Sequence, residues 1–275
     1  MPHIFWYLLL LFFSMILFLF CGMKDWRRLL PLWLFNSGLS YLFELIVYVV
    51  YDCYLYKPNV FDDQFTDSTF GSIFSQGLSV PAAAAFAAIY HLGIKAILLF
   101  SLLFSVIEIW FLQLNIYEHI WWRTPYTFIF IPVIFYLSKY WYARLKTEQP
   151  FTQVFTHYIC MITISITITW LLFAIHPSIV FQTGLFGESS RDHTFTNAMY
   201  SIFISVFYTA IAFIRPFIWR GLLFTVILLT DTVLYKNHIL FIQHDHEAAS
   251  IVMIHLFFIG TALLLQRLLP LRSRE

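Results

Sequence analysis

The sequence predicts an all-α integral membrane protein, on the basis of its composition and of the length of its apolar runs. Of the 275 residues, 60% are hydrophobic and 21% aromatic, whereas only 11% are charged. A soluble domain carries roughly 25% charged residues, because it must cover itself with polar side chains. The apolar residues form continuous runs of about twenty, the length that a helix needs to cross the hydrocarbon of a bilayer. A soluble enzyme, a disordered chain, a secreted disulfide scaffold and a nucleic-acid-binding protein are excluded.

Nine apolar runs are predicted to be transmembrane helices. They are 3–22, 31–51, 71–91, 93–116, 125–144, 153–175, 196–216, 219–242 and 249–270. Segment 162–170 alternates like a β-strand, but a membrane barrel would need that alternation in every span. The first run is interpreted as a retained span, because its basic residues follow the apolar stretch and do not precede it as in a signal peptide.

The charged residues predict the orientation of the spans. Lys and Arg collect in cytoplasmic loops of membrane proteins. Here 12 of the 16 Lys and Arg residues lie in, or at the span ends beside, the loops that follow odd-numbered spans, and nine acidic residues lie on the opposite side. We therefore expect a multi-pass protein of the cell membrane with its N-terminus outside and its C-terminus in the cytoplasm.

An internal repeat is predicted from self-alignment of the chain. Sliding the sequence along itself aligns Glu108 with Asp231, Asn115 with Asn237, and 98–100 with 222–224. We expect duplicated four-helix halves, spans 2–5 and 6–9, preceded by an N-terminal helix. The ranges are 1–24 for the first span, 25–147 and 148–270 for the halves, and 271–275 for a cytoplasmic tail. Four spans are an even number, so both halves would insert in the same sense, as in transporters built from parallel repeats.

Three carboxyl groups fall inside predicted spans, those of Glu44, Glu108 and Asp231. An ionised carboxylate at the centre of a bilayer costs at least about 2.5–3.5 kcal/mol, so such a residue faces protein or water. Two interpretations are open. The carboxyls are binding or protonation sites, or they are neutral groups that hydrogen-bond neighbouring helices and fix their packing.

Polar residues follow two of these carboxyls at helical spacing. Separations of four, seven and eleven residues place side chains on one face of a helix. On this spacing Glu108 and Asp231 each precede amide, phenol or imidazole groups, which predicts a polar path from each carboxyl to the outer surface. The candidates for binding or proton relay are Glu108, Asp231, Glu44, Asn115, Asn237, Tyr235, His119 and His238.

A metal site is a further candidate, at His244, His246 and Glu247. Imidazole and carboxylate groups suit zinc or manganese. Adjacent residues cannot all reach one ion, however, so ligands from another loop would be required. Solvation at the membrane surface is the favoured interpretation of these residues.

Two other patterns predict packing. Ser75, Ser79, Ala83 and Ala87 are spaced by four residues, and small residues at that spacing let membrane helices approach closely. The pair Trp121-Trp122 lies near the predicted outer boundary, which indicates an aromatic belt at the membrane surface and not a ligand cage.

The stretch from Phe104 to Thr127 resembles a family of uncharacterised small multispanning membrane proteins of Bacillus and Clostridium relatives. In that family a span with an embedded Glu ends in a Leu-Gly-Ile-Tyr-like turn, followed by Trp, a basic residue, Thr and Tyr-Thr. This chain has Asn115 where Gly is usual. The resemblance covers about residues 50–130 and implies a Gram-positive membrane protein in which Glu108 matters, but it implies no substrate.

Three classes of function are compatible with these patterns. The favoured one is a small transporter or an ion- or proton-coupled permease with intramembrane carboxylates. The alternatives are a non-catalytic signalling or assembly component and a membrane enzyme acting on lipid. The sequence contains no nucleotide-binding loop, nucleophile elbow or zinc-protease motif, which favours a non-enzymatic protein. No cofactor is expected, and the expected partners are the lipid bilayer and a membrane protein or second copy of the chain, not nucleic acid.

Overall fold

A computed structural model describes residues 2–177, 179–242 and 247–269 of the chain. The chain divides into two compact units, Met1–Thr147 (unit 1) and Glu148–Glu275 (unit 2). Helices dominate both units, which confirms the predicted all-α class.

Seven helices in the described part of the chain are long and apolar enough to cross a membrane. They are Ile4–Val50, Gln64–Ile89, Ile94–Gln113, Pro150–Ile175, Ser189–Phe213, Phe217–Lys236 and Ala249–Leu268. The number is lower than the nine predicted spans for two reasons. Predicted spans 3–22 and 31–51 belong to one continuous helical segment. The helix at predicted span 125–144 is less apolar, because it contains Lys139 and several tyrosines.

The first helix, α1 (Ile4–Glu44), is interrupted at a single residue. Asp25 has φ −151° and ψ 76°, far from helical values. Its carboxylate accepts hydrogen bonds from the backbone N–H of Arg28 at 3.3 Å and from the guanidinium of the same residue at 3.1 Å. Asp25 therefore caps the second half of α1. No linker separates the two halves, and the helix continues beyond Glu44 as the π-helical stretch Leu45–Val50.

After α1, unit 1 contains two short strands and four helices. In chain order they are β1 (Tyr54–Tyr56), α2 (Gln64–Ser72), a π-helical stretch (Ile73–Ser79), α3 (Val80–Ile89), α4 (Ile94–Gln113), β2 (Tyr117–His119) and α5 (Thr124–Leu145). Strands β1 and β2 pair antiparallel, with Tyr54 opposite His119. The predicted start of span 71–91 is wrong, since α2 begins at Gln64. There the carboxylate of Asp63 accepts the backbone N–H of Thr66 at 2.8 Å and caps the helix.

Small residues allow the helices of unit 1 to approach closely. Ala83 and Ala87 are buried and belong to an apolar cluster with Phe135. A Cβ atom at Gly77 would lie 2.5 Å from the hydroxyl oxygen of Tyr41, and a Cβ at Gly71 would lie 2.4 Å from the Cβ of Tyr56. Close backbone approach is the main source of helix association in a bilayer, where lipid is as apolar as the side chains.

We expect the substitution Gly71→Ala to destabilise the protein, because the new methyl group collides with a backbone-proximal atom of Tyr56. Overpacking of this kind costs typically about 1–3 kcal/mol. The thermal unfolding midpoint in detergent should therefore fall. Gly260→Ala is the matched control, because a Cβ at Gly260 meets nothing within 4 Å. A Gly71→Ala protein that melts at or above the wild-type temperature would contradict this packing.

Unit 2 consists of four helices and two short strands. They are α6 (Pro150–Ile175), β3 (Ile179–Phe181), α7 (Ser189–Phe213), α8 (Phe217–Lys236), β4 (Leu240–Ile242) and α9 (Glu247–Leu268). Strands β3 and β4 pair antiparallel, with Phe181 opposite Leu240. The predicted loop 176–195 is too long, because α7 begins at Ser189.

One buried aspartate in each unit organises the loop before a helix. In unit 1 the carboxylate of Asp67 accepts the backbone N–H groups of residues 59–61 at 2.7–3.0 Å. In unit 2 the carboxylate of Asp192 accepts those of residues 183–186 at 2.6–3.3 Å. Hydrogen bonds to an ionised acceptor are about twice as strong as neutral ones. These carboxylates, which the sequence indicated only as outer charges, therefore hold the loops onto α2 and α7.

Replacing Asp67 by Asn should loosen residues 59–61. An amide offers one acceptor oxygen and turns an NH2 group towards backbone donors, so at least one bond is lost. A hydrogen bond to a charged group is worth about 1.5–3 kcal/mol, so amide hydrogen exchange in this loop should accelerate by about tenfold or more. Asp62→Asn, at an exposed position of the same loop, should leave the exchange unchanged. Equal exchange in the two variants would refute the role of Asp67.

Candidate functional site

Glu108, in the last two turns of α4, contacts two polar residues of unit 1. The Nε2 atom of His119 lies 2.8 Å from one carboxylate oxygen, and the hydroxyl of Thr127 donates to the other. The side chains of Glu108 and His119 are only 9% and 13% exposed. The predicted carboxyl of this span is thus one half of a carboxylate–imidazole pair.

His119 reaches Glu108 by a route that differs from the predicted helical face. Helix α4 ends at Gln113, and Asn115 has φ 55°, a left-handed conformation that reverses the chain. The chain then returns as β2, which carries His119 back beside the carboxylate. The prediction that Asn115 and His119 lie on one helical face with Glu108 is therefore wrong, and Asn115 is an exposed turn residue.

Unit 1 contains a cavity of about 300 Å³ with Glu108 in its wall. The lining comes mainly from α1, the π-helical stretch Ile73–Ser79, α4 and α5, and most of it is apolar. Three lining residues of α5 are also 42–49% exposed on the outer surface of unit 1, namely Phe130, Val133 and Leu137. The cavity is therefore accessible beside α5.

The paired strands β1 and β2 contribute three buried tyrosines to the lining of this cavity: Tyr54, Tyr56 and Tyr117. Burial raises the pKa of all three well above the ordinary value for a phenol. The negative charge of Glu44 raises the pKa of Tyr54 and Tyr56 further. All three hydroxyls consequently stay protonated.

The prediction of an aromatic belt is wrong for Trp122. Trp122 is 5% exposed and lines the cavity, whereas Trp121 is 44% exposed. The indole N–H of Trp122 donates to the hydroxyl of Thr127 at 2.9 Å. Because Thr127 accepts from Trp122, its own hydrogen is directed to Glu108.

Glu44 is buried at the end of α1 and has a different environment. Its carboxylate accepts the hydroxyl of Tyr54 and, at 2.8 Å, the hydroxyl of Ser72. These bonds attach β1 and α2 to α1. Glu44 is absent from the residues that line the cavity.

Asp231 is buried within unit 2, where its carboxylate contacts two residues of neighbouring helices and, through one of them, is linked to a third. The hydroxyl of Tyr200 donates to one carboxylate oxygen at 2.5 Å, and Nε2 of His255 lies 2.5 Å from the other. The second ring nitrogen of His255 lies 2.6 Å from the hydroxyl of Tyr208. The result is a continuous chain of hydrogen bonds from α7 through α8 and α9 back to α7. Glu108 and Asp231 therefore each have partners inside their own unit.

The residues predicted to accompany Asp231 lie elsewhere. Helix α8 ends at Lys236, and Tyr235 and His238 line a separate open pocket beside β3 and β4. Asn237 is exposed, and its amide donates to the carbonyl of Val233 in its own helix at 2.7 Å.

The partners that sequence reasoning missed come from distant positions: Thr127 in unit 1, and Tyr200, Tyr208 and His255 in unit 2. His255 carried a usable signal, as an imidazole inside an apolar run. The tyrosines carried none, because aromatic residues occur throughout the chain.

The candidate metal site cannot be placed. His244 and His246 lie outside the described residues, and of Glu247 only the backbone is described, as the first residue of α9. Within the described ranges, no group of three or more His, Cys, Asp or Glu side chains is arranged to hold a metal ion.

No family model, curated protein or solved structure matches the chain. The fold and site define an all-α protein with seven membrane-length helices in its described part and a carboxylate–imidazole pair in each unit, partly buried in unit 1 and buried in unit 2.

The Asp231–His255 contact should appear as a strong energetic coupling. Removing one partner of a buried pair costs about 3–5 kcal/mol, because the other group is left uncompensated. We expect Asp231→Leu and His255→Leu each to lower the unfolding midpoint, and the double variant to be destabilised by about 1–3 kcal/mol less than the sum. Thr232→Leu with Met253→Leu, two exposed positions of α8 and α9, should show simple additivity. Additive effects at Asp231 and His255 would contradict the pairing.

Proposed function

We propose that the chain is a nine-span carrier of the cytoplasmic membrane, which binds an amphipathic small molecule in the unit 1 cavity and couples its movement to a proton at Glu108. One observation carries the proposal. A cavity of about 300 Å³ with a largely apolar wall contains a partly buried carboxylate that is paired with an imidazole. Small-molecule sites typically measure about 300–1,000 Å³ and combine apolar walls with a few polar groups.

The lining supports a ligand with an apolar body and a cationic or hydrogen-bond-donating head. Glu108 is the ionisable acceptor in the wall, and Gln76 adds an amide. The remaining lining is dominated by Leu, Ile, Val and Phe side chains. The exposed lining residues of α5 support access from the lipid, where an amphipathic molecule accumulates.

The contact with His119 supports coupling to protons. The Nε2 atom of His119 lies against one carboxylate oxygen of Glu108, so a cationic ligand head has to displace the imidazole to reach that oxygen. Binding of the ligand and release of a proton from the Glu108–His119 pair are thereby linked, which is the requirement for exchange of one for the other across the membrane.

The order of the contacts favours a carrier over a lipid hydrolase. A serine- or threonine-type nucleophile needs its hydroxyl directed to a base that takes its proton, with the carboxylate on the far side of an imidazole. Here the carboxylate of Glu108 lies between Thr127 and His119. Thr127 and His119 are therefore not a nucleophile–base pair.

Two features support nine spans. A straight helix over Ile4–Val50 would be about 70 Å long at 1.5 Å per residue, more than twice the hydrocarbon thickness of about 30 Å. The capped break at Asp25 supports two spans within this segment. Helix α5, with 22 residues, has the length of a further span.

The similar construction of the two units supports an ancient duplication. Each proposed half pairs a strand that follows its first span with a strand that follows its carboxyl-bearing third span. The turns after α4 and α8 contain left-handed residues, Asn115 with φ 55° and His238 with φ 56°. This geometry supports pairing Asn115 with His238 in place of Asn237. The division of the chain after Thr147 falls between the proposed halves.

The distribution of cations supports an outer N-terminus and a cytoplasmic C-terminus.

The proposal is tested with decylamine, a single-chain amphipathic amine, as the probe. Native mass spectrometry should detect one bound decylamine per chain for the wild type and at least tenfold weaker binding for Glu108→Gln. Liposomes that contain the protein and an internal pH dye should show more proton movement than protein-free liposomes when a decylamine gradient is imposed, and Glu108→Gln should abolish the excess. Glu118→Gln is the matched control, because it removes an exposed carboxyl next to His119 that pairs with Lys57.

The unfolding midpoint of the Glu108→Gln protein is measured as well. If it equals that of the wild type, a loss of decylamine binding reflects the site and not the fold. Ile134→Trp supplies a second variant, since it fills the cavity from its apolar wall and leaves Glu108 in place. If a folded Glu108→Gln protein binds decylamine and moves protons like the wild type, the carrier proposal fails. Absence of both activities from the wild-type protein also overturns it and favours a structural role for the carboxyls.

A further inference from the structure

One side of α7 carries a row of buried polar side chains: His193, Asn197, Ser201 and Ser205. They are at most 1% exposed. In the described part of the chain each has a side-chain atom without a hydrogen-bond partner, namely Nε2 of His193, Nδ2 of Asn197 and the two hydroxyl oxygens. From His193 to Ser205 the row extends about 18 Å along the helix, at 1.5 Å per residue.

Such a row is not explained by helix packing. A buried donor or acceptor without a partner is costly, and more so where lipid replaces water around the protein. Four in succession, on a helix of membrane-spanning length, indicate a partner other than protein atoms.

Two members of the row open onto a small chamber inside unit 2. His193 and Ser201 line a space of about 40 Å³, and so does Ser165 of α6, whose hydroxyl also has no partner among the described residues. Asp231 and His255 line the same chamber. A water molecule occupies about 10–15 Å³ of such space and needs two to four polar partners, so the chamber has room for two or three.

Most of the lining surface is apolar, and the few polar groups in it favour water as the occupant. Nδ1 of His193 accepts the backbone N–H of Phe181 at 3.0 Å, so Nε2 of the neutral ring carries the hydrogen and presents a donor. The hydroxyls of Ser165 and Ser201 both donate and accept. Water satisfies such a mixed lining, whereas a metal cation is not coordinated by an N–H donor.

We infer that the chamber holds ordered water that connects His193 to the Asp231–His255 pair and gives this pair access to protons. Tyr208 links the Asp231–His255 pair to the chamber, because it contacts His255 and also lines the chamber. When His255 is doubly protonated, both ring nitrogens donate, and the hydrogen of the Tyr208 hydroxyl is released from Nδ1 and turns to another acceptor. The charge of the pair thereby changes the hydrogen bonding offered to the chamber. This inference concerns unit 2 and stands independently of ligand binding in unit 1.

Hydroxyl-radical footprinting of the full-length protein in lipid nanodiscs tests the inference, because radicals form from water at the labelled side chain. Tyr200 and Tyr208 should be oxidised at least fivefold faster in the wild type than in the double variant Ser165→Val with Ser201→Val, which fills the chamber. Deuterium exchange at the C2 carbon of the His255 ring should slow by a similar factor. Thr225→Val is the control, because Thr225 is exposed and its hydroxyl donates to Gly221 of its own helix.

The wild-type protein alone also decides the question if the double variant does not fold. Phe135 is fully buried in the apolar cluster of unit 1 and is the dry reference. After correction for intrinsic reactivity, Tyr200 and Tyr208 should be oxidised at least fivefold faster than Phe135. Rates equal to that of Phe135, or equal labelling of the wild type and a folded double variant, would show a dry chamber and overturn the inference.

Discussion

The structure depends on the need of polar groups to find partners inside the protein when the bilayer supplies none. An unpaired carboxylate is too costly in a span, so each buried acid is surrounded by donors from other segments. Glu108 contacts groups of β2 and α5, Glu44 contacts groups of β1 and α2, and Asp231 contacts groups of α7 and α9. These contacts join each carboxyl-bearing helix to neighbouring segments of its own unit.

The same requirement shapes the loops. Backbone N–H groups outside the helices are satisfied by the short strand pairs and by the carboxylates of Asp67 and Asp192. In unit 1 this construction returns the chain after α4 so that His119 meets Glu108. The pairing of β2 with β1 thereby holds the imidazole of His119 beside the carboxylate of Glu108.

The two units enclose their carboxylates differently. In unit 1 small residues bring α1 and α3 together while α4 and α5 leave a cavity of about 300 Å³ beside Glu108. In unit 2 the bulky side chains of Tyr200 and Tyr208 close around Asp231, and about 40 Å³ remains. The first arrangement has the size of a small-molecule site and the second that of a few waters, which supports the separate roles that we propose for them.

The sequence by itself determined the all-α class, the approximate positions of the membrane-length apolar helices and the three carboxyls within them, because hydrophobicity and the cost of intramembrane charge are local properties. It also indicated His119 as a companion of Glu108, although through a helical face that does not exist beyond Gln113. Only the tertiary structure decided which partners the carboxyls have. Thr127, Tyr200, Tyr208 and His255 lie on other helices, and no periodicity along one helix reports which side chains of another helix face it. The cavity and the chamber were likewise beyond the sequence, since empty space results from how several helices pack and not from any single segment.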